Sequence, residues 1–248
     1  DREATGVLSS AQRHTHFLDS PRMVAALARS DFAFRDLRDG VVSVFLVLPP
    51  DRLAAYARWL RLLVTQALND LAQAGNAGGG GGGRVLFLLD EFAALGRLEP
   101  IERAYGLMAG YGVQLWAILQ DLHQLKATYG ERAGTFMSNA GVIQVFNVAD
   151  IDTASWVSRT LGVSTEAFYT SGSTESSGSS WGGHGGSSQS SAGTSSTLNY
   201  AKRDLLTPDE VMRLPEHVMI LLRPGRSPLL VTKVRYYAEW EFQGLFDG

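Results

Sequence analysis

Two adjacent carboxylates, Asp90 and Glu91, are the residues whose types and position best fit a chemical role. They follow the apolar run Val85–Leu89 within the stretch RVLFLLDEFAALGRL. A buried strand that ends in acids places charge at the carboxyl edge of an α/β sheet, where such folds bind ligands. In nucleotide hydrolases of the P-loop class, the Asp of such a pair holds Mg²⁺ through water and the Glu polarises the attacking water. A solvated strand end or a helix N-cap would give the same pattern, so these residues alone leave both interpretations open.

The glycine-rich run just before this strand, Gly75–Arg84, does not fit a phosphate-binding loop. Such a loop follows a strand and opens a helix, so that helix N-terminal amides meet the phosphates. This run follows a helical pattern and leads into a strand. It also lacks the Lys-Ser/Thr pair, and none of the lysines Lys126, Lys202 and Lys233 is preceded by Gly. We therefore predict that the chain lacks a Walker A motif and that the glycines form a flexible connection.

The composition sets broad limits on the protein. A length of 248 residues with 45% hydrophobic content allows one large α/β domain or two smaller ones with a sizeable core. The net charge of −3 gives no bulk attraction to nucleic acid, so such contact would need a local patch. The absence of cysteine excludes disulfides, thiolate zinc sites and cysteine nucleophiles. The longest apolar run, Val41–Leu48, is far shorter than the ~20 residues that span a bilayer.

Alternating strand and helix patterns indicate how the acids are positioned. Near-continuous apolar runs predict four strands, at Val41–Leu48, Val85–Leu89, Val113–Leu119 and Val142–Phe146. Helical patterns lie between and after them, at Asp51–Gln73, Glu99–Ala109 and Asp152–Leu161. This alternation predicts βαβ units and a mainly parallel sheet. Trp116, in a predicted strand, and Trp156, on a predicted helix, are expected in the core.

The segments before and after these strands and helices differ from them in composition. The residues before Val41 are mostly of helical pattern, whereas Ser171–Thr197 is so rich in Gly and Ser that it predicts a mobile or disordered insertion. Leu205–Pro215 predicts a short capped helix, and two final strands follow around the turn Arg223–Pro228. The two arginines of that turn could meet phosphate.

The block Leu88–Gly130 and its continuation Thr135–Gly162 closely resemble the type IV coupling proteins of conjugation and type IV secretion, the TraG-like group. The resemblance extends from about Leu8 to Tyr237. In this family the Walker A motif precedes an inserted all-α domain, and the Walker B strand comes well after it. The resemblance therefore implies an α/β fold with a RecA-like P-loop NTPase core and a mainly parallel sheet. The Walker A segment, and membrane segments with it, would lie before Asp1.

The same resemblance implies a division of the chain. Residues 1–40 would end the all-α insertion, and residues 41–165 would form the C-terminal part of the nucleotide-binding domain. Residues 166–200 would be the flexible Gly/Ser-rich insertion. Residues 201–248 would supply a helix and edge strands that complete the core.

The resemblance also assigns roles to site residues, with ATP and Mg²⁺ as cofactors. Asp90 becomes the Walker B residue that holds Mg²⁺ through water, and Glu91 the catalytic acid/base. Gln120, which ends the next predicted strand, becomes the sensor of the γ-phosphate. Asn139 has either a supporting or intersubunit role or a capping role.

Hexameric motors of this kind use an arginine from a neighbouring subunit to stabilise charge on the γ-phosphate. Arg97, Arg103 and Arg132 are candidates because they lie near the motifs, although each could equally belong to a solvated helix face. Some coupling proteins carry an arginine in the turn before the sensor strand. Here that turn, AGYGVQ, has none, so the assignment stays open.

The predicted function is that of an ATP-hydrolysing coupling protein that recruits relaxase-bound DNA or effector proteins to a type IV secretion channel. The resemblance implies a homo-hexamer at the cytoplasmic face of a bacterial inner membrane, held there by a missing N-terminal segment. Substrate contact is expected from Gln120–Glu131, which carries His123 and Lys126. The alternative is a docking component that recruits substrates without hydrolysis. A DNA pump for chromosome segregation fits the motif block less well.

Overall fold

The computed structural model describes residues 2–77, 83–180 and 187–246. The chain divides into two compact units, which are described separately. The first comprises Asp1–Gln144 with Leu221–Leu229, and the second Val145–Ile220 with Leu230–Gly248. Within the described residues, no helix combines the length and the apolar character that crossing a bilayer requires. Residues 78–82 of the Gly-rich run and residues 181–186 of the Gly/Ser-rich segment, which include His184, lie outside the described residues.

The α-helices follow the predicted pattern, with several short additions. They are α1 (Arg2–Thr15), α2 (Pro21–Leu27), α3 (Asp36–Asp39), α4 (Leu53–Ala77), α5 (Glu99–Leu107), α6 (Leu122–Tyr129), α7 (Ala133–Asn139), α8 (Ile151–Leu161) and α9 (Pro208–Met212). The longest, α4, buries Leu60, Val64, Leu68 and Leu71, a spacing of three and four residues that makes one apolar face. That face forms much of the core of the first unit.

The described residues form seven strands in three sheets. The strands are β1 (Val85–Leu89), β2 (Val113–Ala117), β3 (Ile143–Val145), β4 (Val163–Ser180), β5 (Ser187–Asp204), β6 (Val218–Leu222) and β7 (Leu229–Thr232). Strands β1 and β2 pair in parallel, from Val85 opposite Val113 to Leu89 opposite Ala117. The second sheet has the order β3–β6–β7. Among the described residues, the parallel sheet therefore has two strands.

The segment Val41–Leu48, predicted as a strand, belongs to no strand in the structure. Phe45 and Val47 are 84% and 82% exposed. The prediction is wrong here because apolar composition favours an extended chain, whereas a strand also requires a neighbour that accepts its backbone hydrogen bonds. Within the described part of the chain, no strand lies beside this segment.

Arg38, near the end of α3, ties three parts of the first unit together. Its Nη2 donates to the carbonyl oxygens of Leu71, at 3.0 Å, and Tyr111. Its own carbonyl accepts from the amide of Gly83 at 3.0 Å. The guanidinium thus joins the last turns of α4 to the turn that begins β2. Charge-assisted bonds of this kind hold backbone carbonyls more firmly than neutral donors do.

The Gly/Ser-rich segment differs from expectation. Strands β4 and β5 pair antiparallel over their whole length, from Val163 opposite Asp204 to Ser180 opposite Ser187. Composition predicted a mobile insertion because almost no apolar side chain is available to bury. Strand pairing in the structure satisfies the backbone groups of the described part instead, and this requires no apolar side chains. The domain boundaries around this segment remain a prediction.

Candidate functional site

The acidic pair lies in a sharp turn directly after β1. Glu91 has a φ of +46°, the left-handed region that non-glycine residues seldom adopt. Its amide donates to Asp90 Oδ1 at 3.1 Å. The next residue, Phe92, is 1% exposed, and its amide donates to the carbonyl of Ile118 at 3.2 Å. The buried phenylalanine therefore fixes the chain on one side of the turn, while both carboxylates remain exposed on the other.

Gln120 lies against the acidic pair. Its side-chain Nε2 donates to Glu91 Oε1 at 3.3 Å. The two residues are 29 positions apart in sequence, and the parallel pairing of β1 with β2 brings them together at the carboxyl edge. The ladder continues past β2, because the Ile118 amide donates to the Leu89 carbonyl at 3.0 Å. The structure thus places two of the predicted catalytic residues in direct contact.

The start of α6 holds the backbone of Gln120. Asp121 is the N-cap of this helix and accepts from the amide of Gln124 at 2.7 Å. The Gln124 side chain in turn accepts from the amide of Gln120 through Oε1 at 3.2 Å. These bonds satisfy donors that the end of β2 and the start of α6 would otherwise leave unpaired. Asp121 and Gln124 were expected only within the substrate-contact range Gln120–Glu131, although an Asp before a helical run is a recognisable capping signal.

An aromatic cluster of Phe92, Tyr105, Tyr129 and Phe136 packs beneath the acidic turn. Phe92 stacks on Tyr129 with ring centroids 5.7 Å apart, and Phe136 lies 4.5 Å from the Tyr129 ring. Tyr105 packs edge-on against Phe136 at 4.9 Å. This cluster connects the turn after β1 with α5, α6 and α7. The sequence did not reveal this cluster, because aromatic residues at helical spacing are typical of any hydrophobic core.

The two tyrosines of this cluster also accept backbone hydrogen bonds. The Tyr105 hydroxyl accepts from the amide of Ala117 at 3.1 Å, and the Tyr129 hydroxyl from the amide of Leu98 at 3.3 Å. Burial raises the pKa of both hydroxyls above the ordinary value for tyrosine. Both groups therefore remain protonated near neutral pH.

The three candidate arginines differ in their engagement. Arg132 Nη1 pairs with Glu102 Oε1 at 3.1 Å, and the Glu102 side chain is only 12% exposed. Arg97 and Arg103 have exposed side chains, and the carbonyl of Arg97 accepts from Arg61 at 2.8 Å. Among the described residues, no hydrogen bond or ion pair joins any of the three candidates to Asp90 or Glu91. Within the described part of one chain, none of the three is thus paired with the acidic pair.

Asn139 and the other expected contact residues lie elsewhere. Asn139 ends α7 and is exposed. Its Nδ2 lies 3.6 Å from the point that a Cβ would occupy if Gly106 were replaced by alanine. His123 and Lys126 are exposed on α6, and the turn after β6 exposes its two arginines. Trp116 is 46% exposed, so its assignment to the core is wrong for the described residues. It stands on the face of β2 that no described element covers.

The residues present fit one half of a nucleotide site. Asp90 supplies a hard oxygen ligand of the type that Mg²⁺ prefers, and Mg²⁺ commonly keeps several waters. Glu91 adds a second carboxylate and Gln120 an amide at the same edge. Within the described ranges, no three His, Cys, Asp or Glu side chains are grouped to hold a metal directly. The exposed Asp90 carboxylate, with Glu91 and Gln120 beside it, fits a Mg²⁺ that keeps most of its waters.

The parallel pair of strands and the helices around it make this an α/β protein, and its acids and amide converge at the carboxyl edge, where α/β folds bind ligands. Within that class, the family model described as type IV secretory system conjugative DNA transfer matches residues 1–245. The chain belongs to this family. The resemblance inferred from the block Leu88–Gly130 is thereby confirmed.

Relatives and solved structures agree with the family assignment. Protein VirD4 of Rhizobium radiobacter is 35% identical over 228 residues, which cover 92% of this chain and 31% of the relative. Conjugal transfer protein TraG of the same organism is 32% identical, covering 91% of this chain and 33% of the relative. The chain thus spans about a third of the length of these curated relatives.

The structural likeness is to the conjugative coupling protein TrwB. The unbound monoclinic form of TrwBdeltaN70 matches with a TM-score of 0.58 at 18% identity, covering 82% of this chain and 44% of that chain. The complex of TrwB with ADP and Mg²⁺ matches with a TM-score of 0.55 at 17% identity, covering 82% and 43%. At such identities the likeness establishes a shared α/β fold.

Proposed function

We propose that this chain carries the metal and water side of an ATPase site in a conjugative coupling protein. The observation that carries the proposal is the contact of Gln120 with Glu91 beside Asp90. In the proposed mechanism, Asp90 would hold Mg²⁺ through water and the ion would offset negative charge on the phosphates, while Glu91 would orient and deprotonate the attacking water. Gln120 contacts Glu91 directly. A change in the position of Glu91 when the γ-phosphate leaves would therefore be transmitted through Gln120 to the connection between β2 and α6.

Three properties support the choice of nucleotide and metal. TrwB structures that share the fold hold an ATP analogue, a GTP analogue, or ADP with Mg²⁺. The acids of this chain are exposed at the edge where α/β folds bind ligands. The Glu91 carboxylate accepts a hydrogen bond from the uncharged side-chain amide of Gln120, and this contact places both groups at the same edge.

We propose further that a preceding segment of the complete protein supplies the phosphate loop and completes a RecA-like sheet. The exposed apolar surfaces of the first unit support this proposal. Leu86, Leu88 and Trp116 are 54%, 58% and 46% exposed on one face of β1 and β2. Parallel sheets are ordinarily covered on both faces. Phe45 and Val47 present a second exposed apolar segment, as a strand without its neighbour would.

The delivery role rests on the family to which the chain belongs. We propose that the complete protein recruits relaxase-bound DNA or effector proteins to a type IV secretion channel, as a homo-hexamer at the cytoplasmic face of the inner membrane. An arginine from a neighbouring subunit would stabilise the γ-phosphate. Arg97 and Arg103 suit this role better than Arg132, because the latter is already paired with a mostly buried carboxylate. Asn139, on the neighbouring surface of α7, is proposed as an intersubunit contact.

The decisive experiment replaces Glu91 by Gln in the complete protein. This variant keeps the size and the backbone of the turn but removes the base, so we expect normal ATP binding, ATP turnover reduced by at least ~100-fold and loss of DNA transfer. Nucleotide affinity, steady-state hydrolysis and conjugation frequency are the measurements. Glu99→Gln, an exposed acid at the start of α5, is the matched control and should behave as wild type. Normal transfer by the Glu91 variant would instead favour the docking component that works without hydrolysis.

A further inference from the structure

The Tyr105 hydroxyl accepts a backbone hydrogen bond at the end of β2, close to Gln120. Ala117, the donor at 3.1 Å, is the last residue of β2 and lies three residues before Gln120. Successive amides of a strand point to opposite sides, and the amide of Ile118 is used by β1. The Ala117 amide therefore points away from β1, where the Tyr105 hydroxyl takes the place of a strand partner.

The Tyr105 ring is held firmly enough to define the position of this oxygen. Tyr105 follows the buried Ala104 on α5, and its ring packs edge-on against the buried Phe136 at 4.9 Å. Phe136 also contacts Phe92, the residue directly after Glu91, with ring centroids 5.7 Å apart. One aromatic cluster thus contacts both the acidic turn and the end of the strand that leads to Gln120.

We infer that Tyr105 is a positioning residue for Gln120. By fixing the Ala117 amide it sets where β2 ends, and so it sets the reach of the Gln120 side chain to Glu91 at 3.3 Å. The geometric part of this inference stands on the described contacts alone, whereas its effect on turnover rests on the proposed function. Tyr105 itself touches no reacting group in this mechanism.

The test removes one oxygen atom. Tyr105→Phe keeps the ring and its packing but leaves the Ala117 amide without its acceptor. In the complete protein we expect kcat for ATP hydrolysis to fall roughly tenfold, with the Kd and KM for ATP unchanged, because nucleotide binding does not use the Gln120–Glu91 contact. A wild-type kcat would overturn the inference.

Tyr129→Phe is a closely matched control. It removes a hydroxyl from the same aromatic cluster, and the donor it deprives, the Leu98 amide, lies at the start of α5 rather than beside Gln120. We expect a comparable loss of thermal stability but a kcat within about twofold of wild type. If both variants lose activity equally, the cluster acts only through general rigidity and the positioning role is refuted.

A second measurement separates this inference from the proposed function. In the chain described here, the side-chain amide of Gln120 should give a distinct ¹⁵N–¹H resonance pair that shifts in Glu91→Gln. We expect Tyr105→Phe to move this resonance pair toward its position in that variant, and Tyr129→Phe to leave it unchanged. An unmoved resonance in Tyr105→Phe refutes the positioning role. Absence of ATP hydrolysis by the complete wild-type protein would refute the proposed function, while the resonance still decides the inference.

Discussion

The left-handed backbone of Glu91 predicts an unusual order of stability among its variants. A non-glycine residue with a φ of +46° is strained by ~1–2 kcal/mol, and glycine escapes that strain. Glycine also loses more backbone entropy on folding, which costs roughly 0.5–1 kcal/mol relative to alanine. The difference leaves Glu91→Gly more stable than Glu91→Ala by about 0.5–1 kcal/mol. Both variants lose the hydrogen bond from Gln120, so that loss cancels in the comparison.

The measurement is urea unfolding at neutral pH, with midpoint and slope compared among variants. Arg103, exposed in the middle of α5, provides the control because its backbone is helical. There the order must reverse, with Arg103→Gly less stable than Arg103→Ala by about 1 kcal/mol. If Glu91→Ala proves equal to or more stable than Glu91→Gly, the turn is not strained and our account of the site is wrong. A stabilised Glu91→Gly variant without turnover would show strain retained for function.

Two further predictions concern hydrogen bonds that stabilise the first and the second unit. Arg38→Met should lower the free energy of unfolding by about 2 kcal/mol, because two main-chain carbonyls lose a charged donor. Arg35→Met, on the exposed neighbouring turn, is the control and should change thermal stability little. In the second unit, the Thr207 amide, which donates to Glu210 Oε2 at 2.9 Å, holds the pKa of Glu210 below its ordinary value. That stabilisation is present above the unfolded pKa and is lost as pH falls through the folded pKa, so Glu210→Gln should weaken acid sensitivity in circular dichroism below about pH 4.5. An unchanged acid transition in this variant would contradict the capping role.

The parts of the fold that sequence predicted well are those fixed by local pattern and packed against the core by one apolar face. Strand β1 has the predicted bounds, and α4 the predicted apolar face, because each contacts the core through its own periodic residues. Val41–Leu48 has the same apolar character, yet its state depends on a neighbouring strand that no local pattern can reveal. The pairing of β4 with β5 was not predicted, because few apolar side chains mark these strands. This pairing depends on the register of backbone groups, which Gly and Ser composition conceals.

The candidate site shows the same division between local and distant information. Adjacent acids after an apolar run are legible in sequence, and the family pattern adds Gln120. The hydrogen bond between Gln120 and Glu91 was not predictable from either motif, because it depends on the register of β1 against β2. The positive φ of Glu91 left no signal at all, since sequence shows glutamate where the backbone alone would favour glycine.

That mismatch between residue and backbone is itself an argument for function. Glycine occupies most other positive-φ positions of the described residues, including Gly96 and Gly112, which both follow the acidic pair in sequence, and Asn147 is the other non-glycine residue there. At position 91 the chain carries the strain of a glutamate instead. A residue whose only role was to make the turn would be more stable as glycine, which supports the proposed role of the carboxylate. The side chain meets Gln120 and lies beside Asp90, which is where a water-activating base would have to stand.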